Sequence, residues 1–218
     1  MNIKLNKRLS LISAFINKED KVIDIGCDHG LLGIYLYQKQ KNRIISSDIN
    51  ELPLKKAYDN LVKYNLENEI TLKLGNGLET IENDIDTVVI SGMGGLTIIE
   101  ILKDIKKYPN VKKLVISPNN DFLLTRKEIS KLNFMIKNEE IVKENNKYYL
   151  ISVYEIGKKK YSNYFGKLDL NNKEVIDYYS SIYYKNKSIL KSIPKIYVIK
   201  KLKIKLENYL IAKKISIK

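Results

Sequence analysis

The chain has 218 residues and 44% of them are hydrophobic, enough to bury a full core and too many for global disorder. A single cysteine, Cys27, excludes a disulfide framework and a structural zinc. The lone histidine, His29, excludes a histidine-cluster metal site, so no metal is expected. The net charge of +14 points to a polyanionic partner.

No apolar run approaches the roughly 20 residues of a membrane span. Residues 1–8 are not followed by a signal-peptide core, so a cytoplasmic protein without a membrane partner is expected. Leu5, Leu9, Ile12 and Ile16 form one apolar stripe on a short first helix, with Lys7 and Arg8 off the stripe. Strands are then expected at 21–26, 43–48, 70–74, 86–91 and 113–117, with amphipathic helices following most of them. That alternation means a parallel sheet covered on both faces. Residues 134–143 and 147–156 read as two strands with only Glu144-Asn145-Asn146 between them, hence an antiparallel hairpin. Five β/α units ending in a hairpin describe an α/β class I methyltransferase (Rossmann-like) sheet.

Lys158-Lys159-Lys160 reads as a boundary, giving domains 1–157 and 158–218. Beyond it, Val175, Ile176, Tyr179, Tyr183, Ile189 and Leu190 predict one helix. Ile199, Leu202, Leu206 and Tyr209, spaced three, four and three, predict another after the break at Pro194. A helical hairpin, a short antiparallel coiled coil, is expected. From residue 158 onward, sixteen lysines face four acids, so this quarter carries +12 of the +14. Genome-wide lysine drift does not account for a front part that balances 23 bases with 21 acids. Nucleic acid is the expected partner.

The chemistry-bearing residues cluster at strand ends. Asp24-Ile25-Gly26-Cys27-Asp28-His29-Gly30 follows the first strand, where glycines let a ligand approach the backbone and leave N–H groups free. The dinucleotide fingerprint needs a glycine at 28, and Asp28 stands there instead. A carboxylate repels a pyrophosphate but attracts the cationic sulfonium or amino group of S-adenosylmethionine. Asp48, 22 residues after Gly26, is placed to accept from ribose hydroxyls, with Ile49 and Asn50 beside it. A helix N-cap role for Asp48 or Asn50 is the competing reading. Asn76 and Gly77 follow the third strand in a loop expected beside an adenine ring, and an ordinary Asn-Gly turn explains them as well. Ser91-Gly92-Met93-Gly94-Gly95 holds three glycines in four residues, a loop where donor and acceptor could meet with Met93 against a ring; a glycine-rich connector with Met93 in the core is the competing reading. Asn119, in Ser117-Pro118-Asn119-Asn120 after the fifth strand, carries an amide that can read a base edge, and a turn with helix capping explains it nearly as well. His29 sits within the first glycine turn.

Leu5-Asn6-Lys7-Arg8-Leu9, Asp24-Ile25-Gly26-Cys27-Asp28-His29, Gly75-Asn76-Gly77-Leu78, Gly92-Met93-Gly94-Gly95 and Pro118-Asn119 resemble, in order and spacing, the bacterial tRNA (adenine-22-N1)-methyltransferases, the TrmK family. The chain departs from that pattern at Ser91, Ser117 and Gly30-Leu31-Leu32-Gly33. The resemblance implies S-adenosylmethionine as cofactor, tRNA as partner and methylation of adenine N1. Expected catalytic residues are then Asp28, His29, Met93 and Asn119. Expected donor contacts are Asp24, Gly26, Cys27, Asp28, Asp48, Ile49, Asn50, Asn76, Gly77, Ser91 and Gly92. The lysine-rich C-terminal helices, with Lys7 and Arg8, are the expected tRNA contacts. A methyltransferase of another RNA, or a nucleotide-binding module without chemistry, are the alternatives.

Overall fold

The computed structural model describes residues 3–157, 164–194, 196–215 and 217. The chain forms two compact units, Met1–Lys167 and Leu168–Lys218. The boundary expected at 158–160 lies outside the described residues.

In the first unit, helix α1 (Lys7–Ala14) precedes strand β1 (Val22–Ile25). Four further β-strands follow in alternation with helices: α2 (Leu31–Gln40), β2 (Ile44–Asp48), α3 (Glu51–Lys63), β3 (Thr71–Leu74), β4 (Thr87–Ser91), α4 (Gly95–Leu102), β5 (Lys113–Ser117) and α5 (Phe122–Lys131). Strands β6 (Phe134–Glu144) and β7 (Lys147–Ile156) complete a seven-stranded sheet of order β3-β2-β1-β4-β5-β7-β6. The first five strands are parallel, and β7 runs antiparallel to β5 and β6. This is the expected class I methyltransferase sheet.

Side-chain alternation explains why both faces are covered. Ile23 and Ile25 enter a core with Val88, Ile90, Leu114, Ile116 and the α4 residues Ile98 and Leu102. Val22, Ile44, Val89 and Val115 enter the opposite core with Ile12, Leu32, Leu36 and Leu61. Ile12 and Ile16 of the first apolar stripe are buried there. Asn145 and Asn146 join β6 to β7 with φ of 47° and 60°, the left-handed pair that a two-residue hairpin turn requires.

One polar cluster has a buried ion pair at its centre. Arg126 of α5 donates from Nε to Glu139 Oε1 at 2.7 Å, and from Nη1 to the Tyr164 carbonyl at 2.9 Å. Glu139 also accepts from Ser152 Oγ at 2.6 Å and from the Lys167 N–H at 2.7 Å. The pair therefore ties residues 164–167 to the hairpin.

The second unit contains α6 (Lys173–Ser192) and α7 (Val198–Lys214), antiparallel and separated by Pro194. Val175, Tyr179 and Asn186 of α6 are buried, as are Asn208 and Ile211 of α7. At the centre, Asn186 Nδ2 donates to Glu207 Oε2 at 2.7 Å and to Asn208 Oδ1 at 3.1 Å. A buried asparagine layer of this kind sets helix register. The apolar series that predicted α7 lies on its other face: Ile199, Leu202, Leu206 and Tyr209 are 58–72% exposed. Helix α7 carries two apolar seams on nearly opposite sides, roughly 170° apart at 3.6 residues per turn, and the one through Ile204 and Ile211 includes Asn208, which bonds Asn186 of α6.

Removing one partner of a buried pair strands the other charge. Arg126→Met is expected to destabilise the first unit by about 3–5 kcal/mol, read as a lower urea midpoint. A loss below about 1 kcal/mol would show that Glu139 stays satisfied without the guanidinium.

Candidate functional site

Ligands of open α/β sheets bind at the carboxyl ends of the strands. Here that edge carries a cleft of about 480 Å³. Eleven of the expected site residues line it: Asp24, Gly26, Cys27, Asp28, His29, Asp48, Ile49, Asn50, Ser91, Gly92 and Met93. They come from the ends of β1, β2 and β4, which are adjacent in the sheet.

The turn after β1 is tightly specified. Gly26 has φ +76°, and a Cβ there would collide with the Met93 methyl group. The turn after β4 therefore packs directly on the turn after β1. The N–H groups of Gly26 and Cys27 are not free as expected; both donate to the Ser47 carbonyl, at 2.8 and 3.0 Å. The β1–β2 ladder continues past the strand end and consumes them. Side chains, more than backbone donors, thus define this end of the cleft. Asp28 adopts φ +50°, a left-handed conformation that Asp tolerates better than most residues. Its Oδ1 lies 3.5 Å from His29 Nε2, and both side chains are solvent-accessible. Asn60 of α3 holds the loop through a 2.9 Å hydrogen bond to the His29 carbonyl.

Asp48 ends β2. Its Oδ1 accepts from the Asn50 N–H at 3.0 Å, so it closes the turn into α3 while lining the cleft. Asn50 occupies the N-cap position of α3 without a side-chain capping bond.

Asp24 is only 5% exposed. Burial pushes its carboxyl up to about 7; Arg8 opposes that rise, and Asp48 adds to it. Burial and the neighbouring carboxylates also push the Cys27 thiol up, so it stays protonated and is no nucleophile.

Arg8 is the residue that local patterning did not place. Asn6 caps α1 by accepting from the Leu9 N–H at 2.8 Å, and the helix carries Arg8 into the cleft. The guanidinium carbon lies 5.0 Å from the Tyr149 ring centre, and Nη1 is 3.2 Å from where a Cβ on Gly92 would sit. Its Nε is buried without a hydrogen-bond partner. The sequence marked Arg8 as a cation off the apolar stripe, within the Asn6-Lys7-Arg8 motif, and as an expected tRNA contact; the structure brings it into the cleft, and its approach to Asp24 is purely tertiary.

Three expected residues lie off the cleft lining. Asn119 donates its N–H to the Met93 carbonyl at 2.8 Å and its side-chain amide to the Gly92 carbonyl. It holds the Gly92–Met93 backbone in place, with Asn120 Oδ1 accepting from the Gly95 N–H at 2.9 Å. Asn76 and Gly77 line a neighbouring depression of about 300 Å³ with Ile101 and Tyr108. No group of three or more metal-ligating side chains occurs among the described residues. No described helix is long and apolar enough to cross a membrane.

This fold and cleft have counterparts among known proteins. A family model for a methyltransferase domain matches residues 5–152. The chain is 32% identical over 158 residues to the tRNA (adenine(22)-N(1))-methyltransferase of Bacillus subtilis, spanning 71% of this chain and 66% of that protein. It matches the structure of Mycoplasma capricolum TrmK in complex with S-adenosyl-homocysteine at 31% identity, with a TM-score of 0.81 and 96% of each chain covered. A Streptococcus agalactiae protein of the NADB-Rossmann superfamily matches at 30% identity, with a TM-score of 0.92 and 98% of each chain covered.

Asp24 makes stability depend on pH. An ordinary carboxyl titrates near 4 in the unfolded chain, and this one near 7 in the folded protein. Between those values the native state holds the extra proton, so stability is highest below the unfolded pKa and falls as pH rises through about 7. Urea midpoints from pH 5.5 to 8 are expected to decline for the parent and to flatten in Asp24→Asn. Parallel declines would place the titrating group elsewhere.

Proposed function

Since the chain belongs to the TrmK family of tRNA (adenine-22-N1)-methyltransferases, we propose that it transfers a methyl group from S-adenosylmethionine to N1 of adenine 22 in bacterial tRNA. The observation that carries this reading is the polar pattern of the cleft: the acidic side chains of Asp28 and Asp48, the buried Asp24 carboxyl that titrates near 7, and one cation, Arg8. The donor has the complementary pattern, with a sulfonium, an ammonium, one carboxylate and a ribose diol. The unpartnered Arg8 Nε and the sterically required glycine at 26 fit a site formed to receive such a molecule.

Asp48 accepts from the ribose hydroxyls. Asp24 and Asp28 would hold the donor's positive groups, and Arg8 its carboxylate. When bound, S-adenosylmethionine supplies an electrophilic methyl group. Adenine N1 presents an in-plane lone pair and is unprotonated at neutral pH, so no general base has to act first. The work of the chain is therefore positioning, water exclusion and stabilisation of the cationic product base. Asp28, exposed and next to His29, is placed for that stabilisation. Met93 packs against the turn after β1, and Asn119 keeps the Met93 loop in register. The target base must leave its stack, which costs a few kcal/mol. Contacts to RNA elsewhere offset that cost, and the lysines of α6 and α7 are the main source. The protein works in the cytoplasm, where its substrate is.

Asp48→Ala is expected to weaken donor binding by about 1–2 kcal/mol in calorimetry. Asp28→Ala should instead slow methyl transfer on the order of a hundredfold, with His29→Ala also impaired and both proteins near parental stability. Near-normal turnover at saturating substrates would make those two residues structural.

Deleting residues 168–218 removes twelve lysines against four acids. The remaining unit, with its own sheet and cores, should bind the donor normally and lose tRNA methylation. Its tRNA affinity should also become less salt-dependent. Equal tRNA affinity and salt slope in both forms would assign the RNA grip to the first unit alone.

A further inference from the structure

A second cationic feature lies on the first unit, at the tip of the β6–β7 hairpin. Lys143 and Lys147 flank the turn and are exposed. Each ammonium rests near a tyrosine ring of the hairpin: Lys143 lies 5.2 Å from the centre of Tyr148, and Lys147 lies 5.1 Å from that of Tyr149. Tyr149 is the same ring that holds Arg8 at the cleft. Lys147 Nζ also lies 3.5 Å from Asn119 Oδ1, and Asn119 clamps the Gly92 and Met93 carbonyls. The hairpin tip is therefore joined to the cleft wall by two short routes, one through Tyr149 and Arg8, the other through Asn119. The acidic group at the tip, Glu144, accepts from the Lys7 N–H at 2.8 Å and so is engaged by the first turn of α1.

We propose that Lys143 and Lys147 form a phosphate-binding ledge that holds the RNA backbone beside the nucleotide entering the cleft, with Lys147 a positioning residue for methyl transfer. The proposal rests on the tRNA methyltransferase reading above and names where that substrate is held at the cleft. Contact with a tyrosine face keeps each long lysine side chain from sampling many rotamers while leaving its ammonium accessible to an anion. A phosphodiester matches these point charges, which carry no base-reading geometry. The ledge thus fixes the backbone near the target base without selecting sequence. It acts separately from the lysines of α6 and α7, which belong to the other unit.

The test uses the full-length protein, a tRNA transcript and S-adenosylmethionine. Lys143→Gln/Lys147→Gln is compared with Lys18→Gln/Lys112→Gln, which removes the same charge near the amino ends of β1 and β5, away from the cleft. The ledge variant should raise the KM for tRNA on the order of tenfold and reduce the log–log salt slope of tRNA binding by about one for each phosphate it no longer engages. Donor affinity should not change, and Lys147→Arg should retain most of the activity of the parent. The Lys18/Lys112 variant should lose markedly less affinity. Parental tRNA affinity and salt slope in the ledge variant would overturn the proposal, as would equal losses in the two double variants. Failure of the parent to methylate tRNA would instead overturn the function proposed above, before any variant is compared.

Discussion

A carboxylate buried at the centre of the sheet edge is the constraint around which the first unit is arranged. Asp24 lies within β1, one residue before its end, between β2 and β4, where water is largely excluded. An isolated charge there is unfavourable, and its carboxyl rises to about 7 even with Arg8 nearby. The nearby cation does not come from the sheet. It comes from α1, which must be capped by Asn6 and held against the hairpin for Arg8 to reach the cleft. The N-terminal helix, the first strand and the last hairpin, remote in sequence, thus meet at one electrostatic point.

The rest of the cleft follows from how strand ends are tied to one another. Backbone bonds from Gly26 and Cys27 to Ser47 extend the β1–β2 ladder into the turn, and Asn119 and Asn120 bind the loop after β4 to the end of β5. Because these turns are cross-linked, the side chains they present are preorganised, and little ordering remains to oppose ligand binding. A methyl transfer that needs no proton abstraction depends on such positioning more than on a dedicated acid or base.

Helix α7 shows how one periodic signal can fit two faces. Its inner seam is interrupted by Asn208, which pairs with Asn186 and so defines the register of the hairpin. Its outer seam, through Leu202 and Leu206, has the stronger apolar pattern and yet is exposed. An apolar repeat states that a helix has a face; it does not state that its neighbour covers that face. The polar layer carried the information about pairing, and a hydrophobic pattern does not register it.

The order of strands and helices, the hairpin and the helical pair were legible in the sequence because they depend on local periodicity and on turn residues such as Asn145 and Asn146. The glycine turn, Asp28 and Asp48 were legible too, since strand-end placement follows directly from element order. The tertiary structure alone decided which of those residues share one cleft. It placed Arg8 beside Asp24, engaged Asn119 with the Gly92–Met93 backbone and set Asn76 and Gly77 along a separate depression. It also showed the Gly26 and Cys27 N–H groups to be taken by the sheet. Each of these is a contact between segments far apart in the chain, set by strand order and packing. No local pattern encodes it, because the energy that selects it arises only when the sheet closes.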